Sequence, residues 1–124
     1  MTRMLFIATL LVLLSGGGAQ AQELRLDAEA ITKALTGNTA RGVEPGPEFL
    51  QYFDTNGVTT YITRSAPPDR GRWRVDEEGL YCSQWRDGGW SCYEVWAAGD
   101  HIVWVSPSGT RYPSIMLDGK VTAF

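Results

Sequence analysis

The sequence predicts a mainly β fold: a small antiparallel up-and-down barrel of the calycin kind with one N-terminal helix, with a β-sandwich as the alternative. Three observations predict it. From residue 39 onward, short apolar or β-branched runs alternate with turn residues at close, regular spacing. Only residues 26–38 carry helical periodicity. Residues 80–97, LYCSQWRDGGWSCYEVWA, have the layout of a β-hairpin stapled by a disulfide. A chain of many short strands must close on itself or pack as two sheets, and closure removes exposed edges.

The first 21 residues read as a secretory signal peptide. Arg3 supplies a positive start, residues 4–14 (MLFIATLLVLL) an apolar run, and Ala19-Gln20-Ala21 a small-residue cleavage site. Eleven apolar residues are too few to span a bilayer core of about 30 Å. Cleavage is expected between Ala21 and Gln22, leaving one domain, residues 22–124, with no membrane anchor. A periplasmic or secreted location follows, and an oxidising compartment makes a disulfide of Cys82 and Cys92. Without Arg3 the chain carries 10 basic and 14 acidic residues, a formal charge of −4. That balance argues against nucleic acid as a partner.

Each element has a local cause. In residues 26–38, Asp27 is a good N-cap, Glu29 favours the positive helix end, and Leu26 and Ile31 stand at staple positions. Ile31, Ala34 and Leu35 form one apolar stripe, and Gly37 or Asn38 ends the helix in a left-handed conformation. So short a helix must dock, and an end or edge of the sheet is the expected place. Strands are expected over 39–43, 49–53, 58–64, 72–76, 101–106 and 110–116, besides the two of the hairpin. Glu44-Pro45-Gly46-Pro47, Asn56-Gly57, residues 65–71, Glu77-Glu78-Gly79, Gly99-Asp100 and Pro107-Ser108-Gly109 divide them. Pro113 confines the last strand to a sheet edge or a bulge.

The hairpin makes a register prediction. Cys82 and Cys92 are symmetric about Asp87. A three-residue loop, Arg86-Asp87-Gly88, with Gly88 in the left-handed region, sets Cys82 opposite Cys92, Tyr81 opposite Tyr93 and Ser83 opposite Ser91. Opposed residues of a non-hydrogen-bonded pair are close enough to bridge. The expected core is Leu50, Tyr52, Ile62, Trp73, Val75, Cys82, Cys92, Trp96, Ile102 and Trp104.

Taken together, the leader, the helix ending in Leu35-Thr36-Gly37-Asn38-Thr39, the run Gly71-Arg72-Trp73-Arg74-Val75, then Cys82, Gln84-Trp85 and Cys92-Tyr93 form a pattern. Its core is W-x-V, then C-x-x-W, then a second cysteine. This resembles a group of small periplasmic proteins of proteobacteria, domains of unknown function. The resemblance implies a periplasmic β-rich domain with one disulfide, and it implies no activity or catalytic residue. In plan alone the chain is also similar to small calycin-type barrels and to periplasmic lysozyme inhibitors.

Chemistry-bearing residues are sparse. The single histidine, His101, opens a strand after a Gly-Asp turn, and no G-x-S-x-G elbow accompanies it. Asp76, Glu77 and Glu78 crowd one turn, where acids point into water and not across a cleft. Two cysteines and one distant histidine fit no zinc spacing, and no cofactor motif appears. Arg72 and Arg74 share one strand face, and Tyr81, Trp85 and Tyr93 are expected near them as a candidate binding face. The expected function is therefore a non-enzymatic exported binding module for a protein or a small ligand. The alternatives are an inhibitor of an exported hydrolase such as lysozyme, and an enzyme of unfamiliar type.

Overall fold

A computed structural model describes residues 22–124. The expected signal peptide, residues 1–21, with the cleavage point at its end, lies outside the described residues. The elements in chain order are β1 (Leu24–Arg25), α1 (Ala28–Leu35), β2 (Thr39–Gly42), β3 (Leu50–Phe53), β4 (Val58–Ile62), β5 (Asp69–Val75), β6 (Tyr81–Trp85), β7 (Trp90–Ala98), β8 (His101–Val105) and β9 (Arg111–Leu117). From β2 to β9 every strand pairs antiparallel with the next, and β9 returns to pair with β2. Eight strands thus close an up-and-down barrel, and the sandwich is excluded. The two residues of β1 add one strand beside β7, with Leu24 opposite Ala97.

Alternating strand direction sends the connections to two ends. At one end lie residues 54–57, 76–80 and 99–100, together with α1. Asp27 caps α1: its Oδ1 accepts from the Ala30 N–H at 2.8 Å. Gly37, at φ 76°, ends the helix and donates to the Phe53 carbonyl at 2.7 Å, tying helix to barrel. Ile31 and Leu35 are fully buried in the same cluster as Phe53, Trp73, Val95 and Ile102. The helix therefore plugs this end, as its apolar stripe requires. At the other end lie residues 43–49, 63–68, 86–89 and 106–110, which surround an open mouth.

Several expectations need correction. β5 begins at Asp69, inside the segment read as a loop. Cys82–Cys92, Tyr81–Tyr93 and Ser83–Ser91 do face one another. The turn between them is longer, however, and its left-handed residue is Arg86, at φ 54°, not Gly88. β9 is no edge strand: it pairs with both β2 and β8. Pro113 is tolerated because β2 ends at Gly42, opposite Ser114, and the Pro113 carbonyl still accepts from the Val43 N–H. Pro113 thus lacks an N–H where no paired strand asks for one.

The core also differs. Leu50, Trp73, Cys82, Ile102 and Trp104 are buried as expected. Tyr52, Ile62, Val75, Cys92 and Trp96 are only half-buried. Strand register explains most of this, since residues two apart share a face. Ile31, Leu35, Ala40, Phe49, Phe53, Tyr81 and Val95 were not in the expected set and are all buried. On the outside of β2–β4 runs the C-terminal segment. Thr39 Oγ1 donates to the Gly119 carbonyl and accepts from the Val121 N–H, Lys120 lies 5.2 Å from the Tyr52 ring, and Arg64 lies 4.3 Å from that of Phe124.

Candidate functional site

Inside the mouth the barrel holds a cavity of about 330 Å³. The strand pleat builds it. Gln51, Tyr61 and Asp69 come from adjacent strands in register, as Gln51 opposes Tyr61 and Tyr61 opposes Asp69. Tyr81, Ser83 and Trp85 alternate along β6, and Tyr93, Trp104 and Tyr112 complete the wall from β7, β8 and β9. Phe49 and Pro47 fold over from the 43–49 connection. That fold needs Gly42, because a Cβ there would lie 2.2 Å from the Pro47 carbonyl oxygen. Gly71 does the same for Trp85: its Cβ would lie 2.7 Å from the indole, so the ring lies on the bare backbone of β5.

Seven of the eleven lining residues are aromatic. Their rings brace one another: Phe49 stacks on Tyr61 at 5.1 Å, and Tyr61 meets Trp85 edge-on at 6.1 Å. Tyr81 meets Trp104 at 6.0 Å, and Tyr93 meets Tyr112 at 6.1 Å. Hydrogen bonds place several of the polar atoms in the wall. Gln51 Nε2 donates to Thr59 Oγ1 at 3.0 Å and to the Tyr81 hydroxyl at 3.1 Å. Trp85 Nε1 donates to Ser83 Oγ at 3.2 Å. Trp104 Nε1 is buried without an acceptor among the described residues.

Burial pushes the Tyr81 phenol far above the usual tyrosine range, against the opposing hydrogen bonds of Ser83 and Gln51. Burial also raises Tyr61, and it raises Tyr93, with Tyr112 adding to the latter. A raised pKa means that the folded state holds its protons longer than the unfolded chain, which ionises near pH 10. Stability from this source is therefore complete below that pH and is lost as pH rises above it. Urea unfolding between about pH 9 and pH 11 should show stability falling, with the buried Tyr81 contributing up to about 1.4 kcal/mol per pH unit. Tyr81→Phe should make the fall shallower, and an unchanged slope would show that Tyr81 ionises freely.

The structure divides the expected binding face. Tyr81, Trp85 and Tyr93 come together in the cavity wall. Arg72 and Arg74 point outward, since Arg74 opposes Cys82 and Arg72 opposes Gln84 on the other face of the sheet. Arg74 lies 4.0 Å from the ring of Trp90, also outside. His101 is exposed at the helix-plugged end, its Nδ1 3.0 Å from Asp100 Oδ1 and remote from the mouth. Asp76 holds its own turn, with Oδ1 accepting from the N–H groups of Glu78 and Leu80, while Glu77 and Glu78 face solvent. Asp76, Cys82 and Cys92 cluster closely, but the two sulfurs are joined in a disulfide and offer no thiolates to a metal. Among the described residues no helix is long and apolar enough to cross a membrane.

Sequence reasoning missed Gln51, Phe49, Tyr61, Asp69 and Tyr112. A usable signal was Gly71, since a glycine within a strand marks a close approach by another group. Comparison with protein-family models, curated proteins and solved structures returned no match.

Proposed function

We propose that the protein is an exported, non-enzymatic binding barrel that takes a small organic molecule through its mouth. The observation that carries this reading is the aromatic-walled cavity of about 330 Å³. Ligand sites are concave, mostly apolar and furnished with a few fixed polar groups, and they are common in the mouths of β-barrels. Gln51, Ser83 and the Tyr81 hydroxyl are such groups. The binding reading is preferred to catalysis because the lining pairs no nucleophile with a base. Export rests on the leader-like first 21 residues and on the disulfide.

The test is native mass spectrometry of the protein recovered from a periplasmic extract, followed by titration with a library of small aromatic compounds read by tryptophan fluorescence. A 1:1 adduct of small mass, or saturable quenching weakened by Trp85→Leu, is the expected result. Neither adduct nor response, together with one stoichiometric protein partner in a pull-down, would replace this reading with that of a hydrolase inhibitor or another protein-binding module.

A further inference from the structure

The cavity wall has a one-sided charge. Asp69 supplies the single ionisable carboxyl group of the lining, and no lysine, arginine or histidine lines it among the described residues. Asp69 sits at the rim in register with Tyr61. Its ion-pair partner is Arg86, at 3.6 Å, whose side chain is 81% exposed. So exposed and long a pair is a weak neutraliser in water. The remaining wall is mostly aromatic, and aromatic faces carry the negative end of a quadrupole, which attracts cations and repels anions.

Resting on the reading of the mouth as a small-molecule site, we propose that its ligand is an organic cation, with an alkylated ammonium held between aromatic rings near the Asp69 carboxylate. An anion meets no cationic side chain in the wall and meets the Asp69 carboxylate at the rim. A strongly hydrated primary ammonium gives up more hydration on entry than an alkylated one, so the apolar wall favours the alkylated form. The tyrosine hydroxyls of the wall are neutral at ordinary pH and do not oppose a positive guest. The outer arginines of β5 do not enter, since they project from the opposite face of the strand.

The test compares three probes of one size: phenyltrimethylammonium, its uncharged isostere tert-butylbenzene, and benzenesulfonate. Binding to the whole protein is followed by amide shifts of the mouth residues in NMR. The cation is expected to bind about tenfold tighter than tert-butylbenzene, and benzenesulfonate weaker than both. Asp69→Asn should cut the cation's advantage over tert-butylbenzene to about threefold. Should that variant misfold, added salt is the second measurement, and it should weaken the cation alone. Equal or tighter binding of tert-butylbenzene would overturn the cation assignment while leaving the cavity a small-molecule site. Failure of all three probes, and of the wider aromatic library, would overturn both.

Discussion

Phe53→Ala is expected to cost about 3–5 kcal/mol of unfolding free energy, the range for deleting a fully buried phenylalanine. Phe53 has no solvent exposure and joins the helix-plugged half of the barrel to the floor of the cavity. Its ring meets Trp73 at 5.6 Å and Tyr81 at 5.7 Å edge-on, and stacks near Trp104 at 6.2 Å. Its backbone bonds to Gly37 and Asn38 survive the substitution, so the loss reports packing and not the helix tether. A domain of this size has about 5–15 kcal/mol in total, so the loss is a large fraction of it. The measurement is the urea midpoint at unchanged m value. Tyr52→Ala, one residue earlier on the outer face, should cost under about 2 kcal/mol, because that half-buried ring packs beneath the C-terminal segment and not in the core. Equal losses at the two sites would contradict the inside–outside assignment of β3.

That pair also shows where the sequence was legible. The barrel could be read because turn residues punctuate nearly every strand and because one short amphipathic helix needs one end to cover. The hairpin register could be read because two cysteines ten residues apart locate their own symmetry axis. Facing was harder. Along β3, Leu50 and Tyr52 on the outside look more apolar than Gln51 and Phe53 on the inside. The cause is the 118–124 segment, which lies over the outer face and removes the polar alternation that would have declared it. In β6 the disulfide sits outside and the tyrosine inside, so treating cysteine as core turned the strand over and sent Tyr81, Trp85 and Tyr93 to the arginine face. Of the cavity, Trp85, Tyr81 and Tyr93 were legible as functional candidates, though for the wrong face. Asp69 was hidden by Pro67-Pro68, which made its segment look like a loop.

Breaking the Cys82–Cys92 bridge should cost about 2–3 kcal/mol, the loop-entropy value for a closed segment of about ten residues. The bridge spans a directly opposed pair whose Cα atoms are 4.1 Å apart, at a sequence separation of 10. Its surroundings make the manner of removal matter. Cys82 is fully buried and Cys92 half-buried, so Cys82→Ser places a hydroxyl where the sulfur had little polar company. The nearest acceptor is Asp76 Oδ2, 3.8 Å from the Cys82 sulfur. Reduction leaves a thiol that fills the same space and can donate to that carboxylate. The double change Cys82→Ala with Cys92→Ala loses the sulfur's packing as well. Reduced protein should therefore lie between the oxidised form and the double alanine variant in urea midpoint. Because a cross-link acts on the unfolded chain, most of the loss should appear as slower folding if the hairpin forms early, and as faster unfolding if it forms late. A melting curve unmoved by reduction would show that the ladder from Tyr81–Tyr93 to Gln84–Trp90 holds the hairpin unaided, and the bridge would lose its structural role.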